Sequence, residues 1–522
     1  MIIAELIRRS FATFGSLPAV ACGDRTLSYD QVADRSFRLV NALIHRGIEV
    51  GDRVATLAPN DLTTLEWMTG LALGGYVRTA LHAMNGGEAH AGMLRSSGAR
   101  VLLTTMEFYD RFRADLDSAG VEYVFVLNST DPRLLDYETV LAGANPIDAR
   151  VRVSGDDVIH LAFSSGSTGT PRASVHTHAS WMAVTLDNAA MLPRVTSADV
   201  YLAAAPLTHA ASTVLYLLLS RGASIQILEH FSPEEALGLI QEKRCSLTVM
   251  VPTMLQVIAT HPRVSDFDLS SVRAVMYAGA PISVATARAA QAAFGDVLFQ
   301  SYGQSECLPV SCLTPEDHRF GVETDESVLN SAGRPCVGAS VRVVDDAGTE
   351  LRAGSVGEIE VSTAGRMLGI YGDSVATAER ITSDGFVRTN DIGYLDHRGL
   401  LFIVDRKNDM IISGGFNIWP VEIENALLTH PGVVEAVAVG LPHPRWGETP
   451  VAIVVVREGV EVTADELIEL CRAQLGSVKK PTEVILRREP FTRNELGKLP
   501  RRLLRDHYWP ERATASREVN GA

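Results

Sequence analysis

VIHLAFSSGSTGTPRA, residues 158–173, decides how the rest of the chain is read. Val158 to Phe163 form an apolar run of the length of a buried strand. A turn dense in small hydroxyl and glycine residues follows: Ser164, Ser165, Gly166, Ser167, Thr168 and Gly169, then Pro171 and the cation Arg172. A strand that ends in such a loop offers clustered backbone N–H groups and hydroxyls to a polyphosphate. The Walker spacing is absent, since no Lys-Ser/Thr pair follows the second glycine. Alone, the loop reads better as a flexible turn, so its meaning rests on its neighbours.

On both sides of the loop, strand and helix patterns alternate. The N-terminal MIIAELIRRS has helical apolar spacing, and residues 26–48 read as a turn into a helix with Val32, Phe37, Val40, Leu43 and Ile44 on one face. Strands are expected at GDRVATLAPN, RVLLTT and YVFVLN upstream, and at DVYLAAAP, SLTVMV, VRAVMYAGAP and DVLFQSYGQSE downstream. This alternation predicts an α/β protein with mostly parallel sheets. Several strands run straight into polar or glycine loops, where ligands sit in such sheets. From about residue 337 the texture changes to period-two alternation, which predicts a small β-rich subdomain over about 337–407. A small α+β unit follows: helix VEIENALLTH, strands VVEAVAVG and PVAIVVV, helix ADELIELCRAQ. The organisation expected is an N-terminal domain, 1–407, and a C-terminal domain, 408–522, whose polar tail frays.

Composition narrows the function. The 522 residues are 46% hydrophobic, enough for roughly three to four domain-sized units. A net charge of −15 argues against nucleic-acid binding. Anionic substrates must therefore be held by local cations against the overall field. Cys22, Cys245, Cys307, Cys312, Cys336 and Cys471 are scattered without CxxC spacing, which points to reduced thiols with no zinc site and no disulfide frame. The first residues hold too short an apolar run for a signal peptide, and no run approaches the ~20 residues of a membrane span. The expectation is a cytoplasmic protein.

The loops together match one family. In order they are SSGSTGTPR (164–172), PLTHAAS (206–212), YAGAPIS (277–283), QSYGQSE (300–306), RTNDIGY (388–394), DRKNDMIISGGFNIWPVEIE (405–424), LPHPRWGE (441–448) and NELGKLPRR (494–502). From about residue 15 to about 507 the chain resembles the acyl- and aryl-CoA synthetases of the adenylate-forming superfamily. The resemblance implies a large N-terminal domain and a small mobile C-terminal domain. It also implies two half-reactions: a carboxylate attacks the α-phosphate of ATP to give acyl-AMP, and coenzyme A then displaces AMP. The C-terminal domain rotates between the steps.

The resemblance also implies roles. Glu306 is the Mg²⁺ ligand, a carboxylate suited to a hard cation. Ser164 to Gly169 and Arg172 handle phosphates. Gly279, Ala280, Pro281, Gln300, Ser301, Tyr302, Gly303 and Ser305 surround the nucleotide, with Tyr302 stacking on adenine. Asp391 accepts the ribose hydroxyls with Arg406 beside it. Lys498 is the adenylation lysine, a mobile point charge. Gly414 and Gly415 let backbone pass close to pantetheine. Trp446 stacks on the CoA adenine, and Lys480 contacts a CoA phosphate. His209 stands between the acyl pocket and the thiol route. Asn408 is the hinge. His176 and His178, just past the loop, read as structural. Residues near His209, Val214, Tyr277–Ala280 and Cys307–Val310 are mostly small or apolar, so the implied substrate is a bulky or long-chain hydrophobic acid.

Four positions depart from the family pattern. Pro-Lys-Gly has become Pro171-Arg172-Ala173, Thr-Gly-Asp has become Thr389-Asn390-Asp391, and the hinge is Asn408 rather than Asp or Lys. Arginine is a planar fork, not a substitute point charge. An alanine costs about 1 kcal/mol or more wherever its backbone needs positive φ. Three readings stay open. One is a complete ligase. Another is a thioesterifying enzyme that takes a preformed acyl-AMP from a separate adenylating partner. A stand-alone adenylation enzyme loading a carrier protein is a third.

Overall fold

Upstream of residue 336, apolar runs and amphipathic helices build two sheets. The computed structural model describes residues 2–83, 85–129, 131–164, 172–208, 210–280, 282–414, 416–457, 459–491 and 501–509. Among them, one eight-stranded sheet runs in the order Gly369–Ile370, Arg172–Thr177, Val158–Ser164, Val77–Ala80, Arg53–Leu57, Val101–Thr105, Tyr123–Leu127, Leu135–Asp136. A nine-stranded sheet has Ala274–Ala278 and Leu298–Gln304 side by side, with Leu247–Met250, Val200–Ala203 and Ser224–Ile227 beyond. The inner pairings are parallel, as the alternation predicts. The chain divides into two compact units, residues 1–341 with 360–388, and residues 342–359 with 389–522.

In the first unit the N-terminal helix, Ile3–Phe14, buries Ile3, Leu6, Ile7 and Phe11, the face its spacing predicts. Trp181, Leu215, Tyr216 and Leu219 join the same apolar core. Asn60 connects the ends of strands from both sheets. Its amide donates to the Ala205 carbonyl at 3.0 Å, and its side-chain oxygen accepts from Leu207 N–H at 2.9 Å.

Two hairpins interrupt the parallel pattern. Val158–Ser164 does not pass from the loop into a helix. It returns antiparallel as Arg172–Thr177, with Ser164 opposite Arg172. Leu298–Gln304 likewise returns as Cys307–Leu313, so Ser305 and Glu306 form a two-residue turn. Gly303 takes up the register shift before that turn.

A four-stranded sheet is ordered Ala339–Val344, Gly357–Thr363, Val387–Leu395, Leu401–Arg406, in the β-rich stretch expected from about residue 337. The C-terminal part packs helices Pro420–Leu428 and Ala464–Leu475 on a sheet built around the long hairpin Val433–His443 and Gly447–Val456. Arg501 ties the last described helix, Arg501–Tyr508, to the second unit, with ion pairs to Asp405 at 3.5 Å, Asp409 at 3.1 Å and Glu424 at 2.9 Å. No helix among the described residues is long and apolar enough to cross a membrane.

Candidate active site

Within the first unit, the loop hairpin and the acidic turn are bonded together. The ring of His176, on the returning strand, meets the Ser305 carbonyl through Nε2 at 2.7 Å. The Glu306 carbonyl accepts from Met367 N–H at 2.8 Å, and the next residue, Leu368, donates to Val175 at 2.7 Å. The Glu306 carboxylate thus projects from a turn fixed against the strand that begins with Arg172. Arg380, on the helix Ser374–Arg380, approaches that carboxylate at 3.4 Å. His176 is completely buried, and burial pushes its pKa down to about 4. The neutral ring therefore donates from Nε2–H to the carbonyl. Sequence reasoning left this histidine as structural and did not find Arg380. The signal for both is spatial, since Arg380 lies far along the chain from Glu306.

Arg172 is exposed, and Ala173 is buried opposite Phe163 with Val77, Leu161 and Val175. Ala173 has ordinary extended backbone. Among the described residues the non-glycine positions at positive φ are Asn128, Arg150, Arg244 and Asn390. The strain that a β-carbon at Ala173 would bring is therefore absent. The other lost glycine differs. Asn390 holds φ 55°, where asparagine is the side chain best tolerated after glycine.

The remaining nucleotide candidates of this unit line two strand ends. Gly279 follows the strand Ala274–Ala278 at φ 93°, and a β-carbon there would meet nothing within 4 Å, so conformation and not space favours glycine. Ala280 is half-buried beside it. Ser301 and Tyr302 are half-buried on the strand Leu298–Gln304, ahead of Ser305. The Gln300 side chain faces the interior, where it accepts from the Tyr277 hydroxyl at 3.1 Å, and that hydroxyl also meets His318 Nε2 at 2.8 Å. Tyr277 is thus committed to a buried network rather than to an open pocket wall. Val214 lines a small void of about 10 Å³ with Leu217, Leu218, Val249 and Met276. Ser165, Gly166, Ser167, Thr168, Gly169, His209 and Pro281 lie outside the described residues, as does the side chain of Ser164.

The second unit holds another group. Asp391 and Arg406 sit directly opposite each other on neighbouring strands, with Arg406 Nε 3.0 Å from the buried Asp391 carboxylate. Asp391 N–H donates to the Thr389 hydroxyl at 3.0 Å, and that hydroxyl donates to the Ile359 carbonyl at 2.7 Å. Asn408 lies in the helical turn Lys407–Asp409. Further on, Gly414 has φ 58° and donates its N–H to the Trp446 carbonyl at 2.8 Å. Trp446 is 42% exposed and stacks on His443 at 4.3 Å between ring centres. Lys480 is half-buried in the turn after the helix Ala464–Leu475. Gly415 and Lys498 lie outside the described residues, as does the side chain of Asn408.

Residues 7–371 match the AMP-binding enzyme family, and residues 422–498 match the AMP-binding enzyme C-terminal domain. The chain is 35% identical to a feruloyl-CoA synthase of Amycolatopsis sp. over 473 residues, covering 89% of this chain and 91% of that one. It is 32% identical to the fatty acid–[acyl-carrier-protein] ligase ScoC of Streptomyces coeruleorubidus over 523 residues, 96% of this chain and 95% of that one. The structure of the amide bond synthetase McbA from Marinactinospora thermotolerans superposes with a TM-score of 0.88 at 28% identity, covering 97% of this chain and 100% of that one. The chain belongs to the AMP-binding enzyme family, the adenylate-forming ligases.

Proposed function

We propose that this chain is a complete acid–CoA ligase of the cytoplasm, joining a hydrophobic carboxylic acid to coenzyme A through an acyl-AMP. In the first step a carboxylate oxygen attacks the α-phosphorus of ATP and pyrophosphate leaves. In the second the CoA sulfur, having lost its proton, attacks the acyl carbon and AMP leaves. Positive groups around the phosphates offset the charge that builds in the first step. On this reading Arg172 and Lys498 supply them, Asp391 with Arg406 holds the ribose, and Tyr302 stacks on the base.

The observation that carries the reading is the fixed Glu306 turn, bonded through His176 to the strand that begins with Arg172. A single carboxylate suits Mg²⁺, which keeps waters and takes its remaining oxygens from substrate phosphates. Glu306 would hold that ion, which offsets phosphate charge when bound. The absence of strain at Ala173 removes the main physical objection to adenylation and favours the complete ligase over the enzyme fed by a separate adenylating partner.

Relatives deliver acyl groups to CoA, to a carrier protein or to an amine, so the acceptor needs its own support. The exposed Trp446 beside Gly414 supports CoA, because a nucleotide base can stack on it. Gly415, Lys480 and His209 complete the thiol route in this reading, and Asn408 is its hinge. The test offers CoA, a holo-carrier protein and a simple amine in separate reactions with ATP and an aromatic or medium-chain acid. Thioester to CoA is expected. Acyl transfer to the carrier alone would replace this reading with the carrier-loading one.

A further inference from the structure

Arg78 sits on the strand Val77–Ala80 in register with His160, and only 7% of it is exposed. No carboxylate among the described residues pairs with its guanidinium, and none of its nitrogens finds an acceptor there. The Tyr216 hydroxyl is the ionisable group that favours its charge, while burial pushes its pKa down. Arginine keeps its proton in proteins, so a largely buried cation stands without a counter-charge among the described residues. The half-buried Arg501 shows the usual solution, with Asp405, Asp409 and Glu424 around it.

The Arg78 side chain lines a narrow cleft of about 20 Å³, open at one side, together with Thr56, Asn60, Thr64, Met68 and Thr208. The cleft lies where strands end. Arg53–Leu57 stops just before Asn60, and Val200–Ala203 stops just before the loop that carries Thr208. Ligands of α/β sheets bind beyond the carboxyl ends of strands. The Asn60 amide fixes that wall by its two bonds to the 205–207 backbone. A planar guanidinium pairs with a carboxylate through two parallel hydrogen bonds. The half-buried Ala58 and Pro59 beside it offer apolar surface to a carbon skeleton.

We propose that this cleft binds a small organic carboxylate, with Arg78 as its counter-ion. The carboxylate is either a second acidic group on the acid substrate or a separate small molecule. This goes beyond the ligase reading, and only the arm that puts the carboxylate on the acid substrate rests on that reading.

The test is thermal unfolding of the full chain, Arg78→Met and Arg78→Lys, with glutarate, benzoate, inorganic phosphate or potassium chloride at matched ionic strength. Without ligand, Arg78→Met should unfold at or above the parent temperature, because a lone buried charge has been removed. Glutarate or benzoate should raise the parent midpoint with concentration. Their binding should weaken by about tenfold or more in Arg78→Met, the loss of a charged hydrogen bond. Arg78→Lys, which keeps the charge without the fork, should respond less than the parent. An Arg78→Met midpoint well below the parent, with no parent response to carboxylates, makes Arg78 a structural residue and overturns the proposal. A response to phosphate alone overturns it too. A kcat/KM loss in Arg78→Met confined to dicarboxylic acids puts the anion on the substrate, whereas Arg78-dependent binding with no such loss makes it a separate ligand. A protein that forms no thioester yet binds carboxylate through Arg78 sinks the ligase reading alone.

Discussion

Acid should unfold this protein partly through His176, and the size of the effect follows from its surroundings. The ring is completely buried, burial holds its pKa at about 4, and it donates to the Ser305 carbonyl at 2.7 Å. The unfolded chain takes up that proton near pH 6.5, the folded protein only near pH 4. The neutral ring's contribution is therefore whole above pH 6.5 and is lost as pH falls from there toward 4. At about 1.4 kcal/mol per pH unit, the loss is about 2 kcal/mol by pH 5 and about 3 kcal/mol by pH 4. His176→Leu removes the titration but strands a buried carbonyl, costing about 1–3 kcal/mol at neutral pH. His176→Gln keeps an N–H donor and removes the titration. Urea unfolding of the three proteins at about pH 7 and about pH 5 measures this. The parent should lose about 2 kcal/mol more over that interval than either variant, and the Gln variant should start nearest the parent. Equal losses in all three would refute a buried neutral His176.

Other perturbations separate the departures from the family pattern. Ala173→Gly should destabilise the protein by about 1 kcal/mol, since it loosens a buried strand and relieves no strain, and pyrophosphate exchange should not rise with it. At Asn390, whose φ is 55°, Asn390→Gly should be near neutral and Asn390→Ala should cost about 1 kcal/mol in chemical unfolding. Asp391→Ala should raise the KM for ATP, about tenfold or more if a charge-assisted bond to ribose is lost, with a smaller change in KM for the acid.

Much of this could be read from the chain, for physical reasons. Apolar runs such as Val101–Thr105 and Leu247–Met250 have the composition of strands covered on both faces, so the parallel sheets were legible. The C-terminal unit was legible from the helix pattern around Ile423 and Leu427 and the valine-rich hairpin. The two hairpins were not. An antiparallel return after Ser164 or Ser305 depends on which strand accepts the edge, and local periodicity carries no such information. The partners of Glu306 were hidden for a related reason. His176 touches the turn through a ring nitrogen across 129 positions and Arg380 across 74, contacts made only by folding. The lost glycines were visible as residues, but not their backbone conformations, which proved ordinary at Ala173 and left-handed at Asn390.

Carboxylate-dependent exchange of pyrophosphate into ATP, run beside acyl-CoA formation from synthetic acyl-AMP without ATP, tests the central claim most directly. A complete ligase gives exchange with a hydrophobic acid, abolished by chelating Mg²⁺, and also forms the thioester from acyl-AMP. Thioester from acyl-AMP with no exchange for any acid would contradict the account and identify an enzyme that depends on another's adenylate.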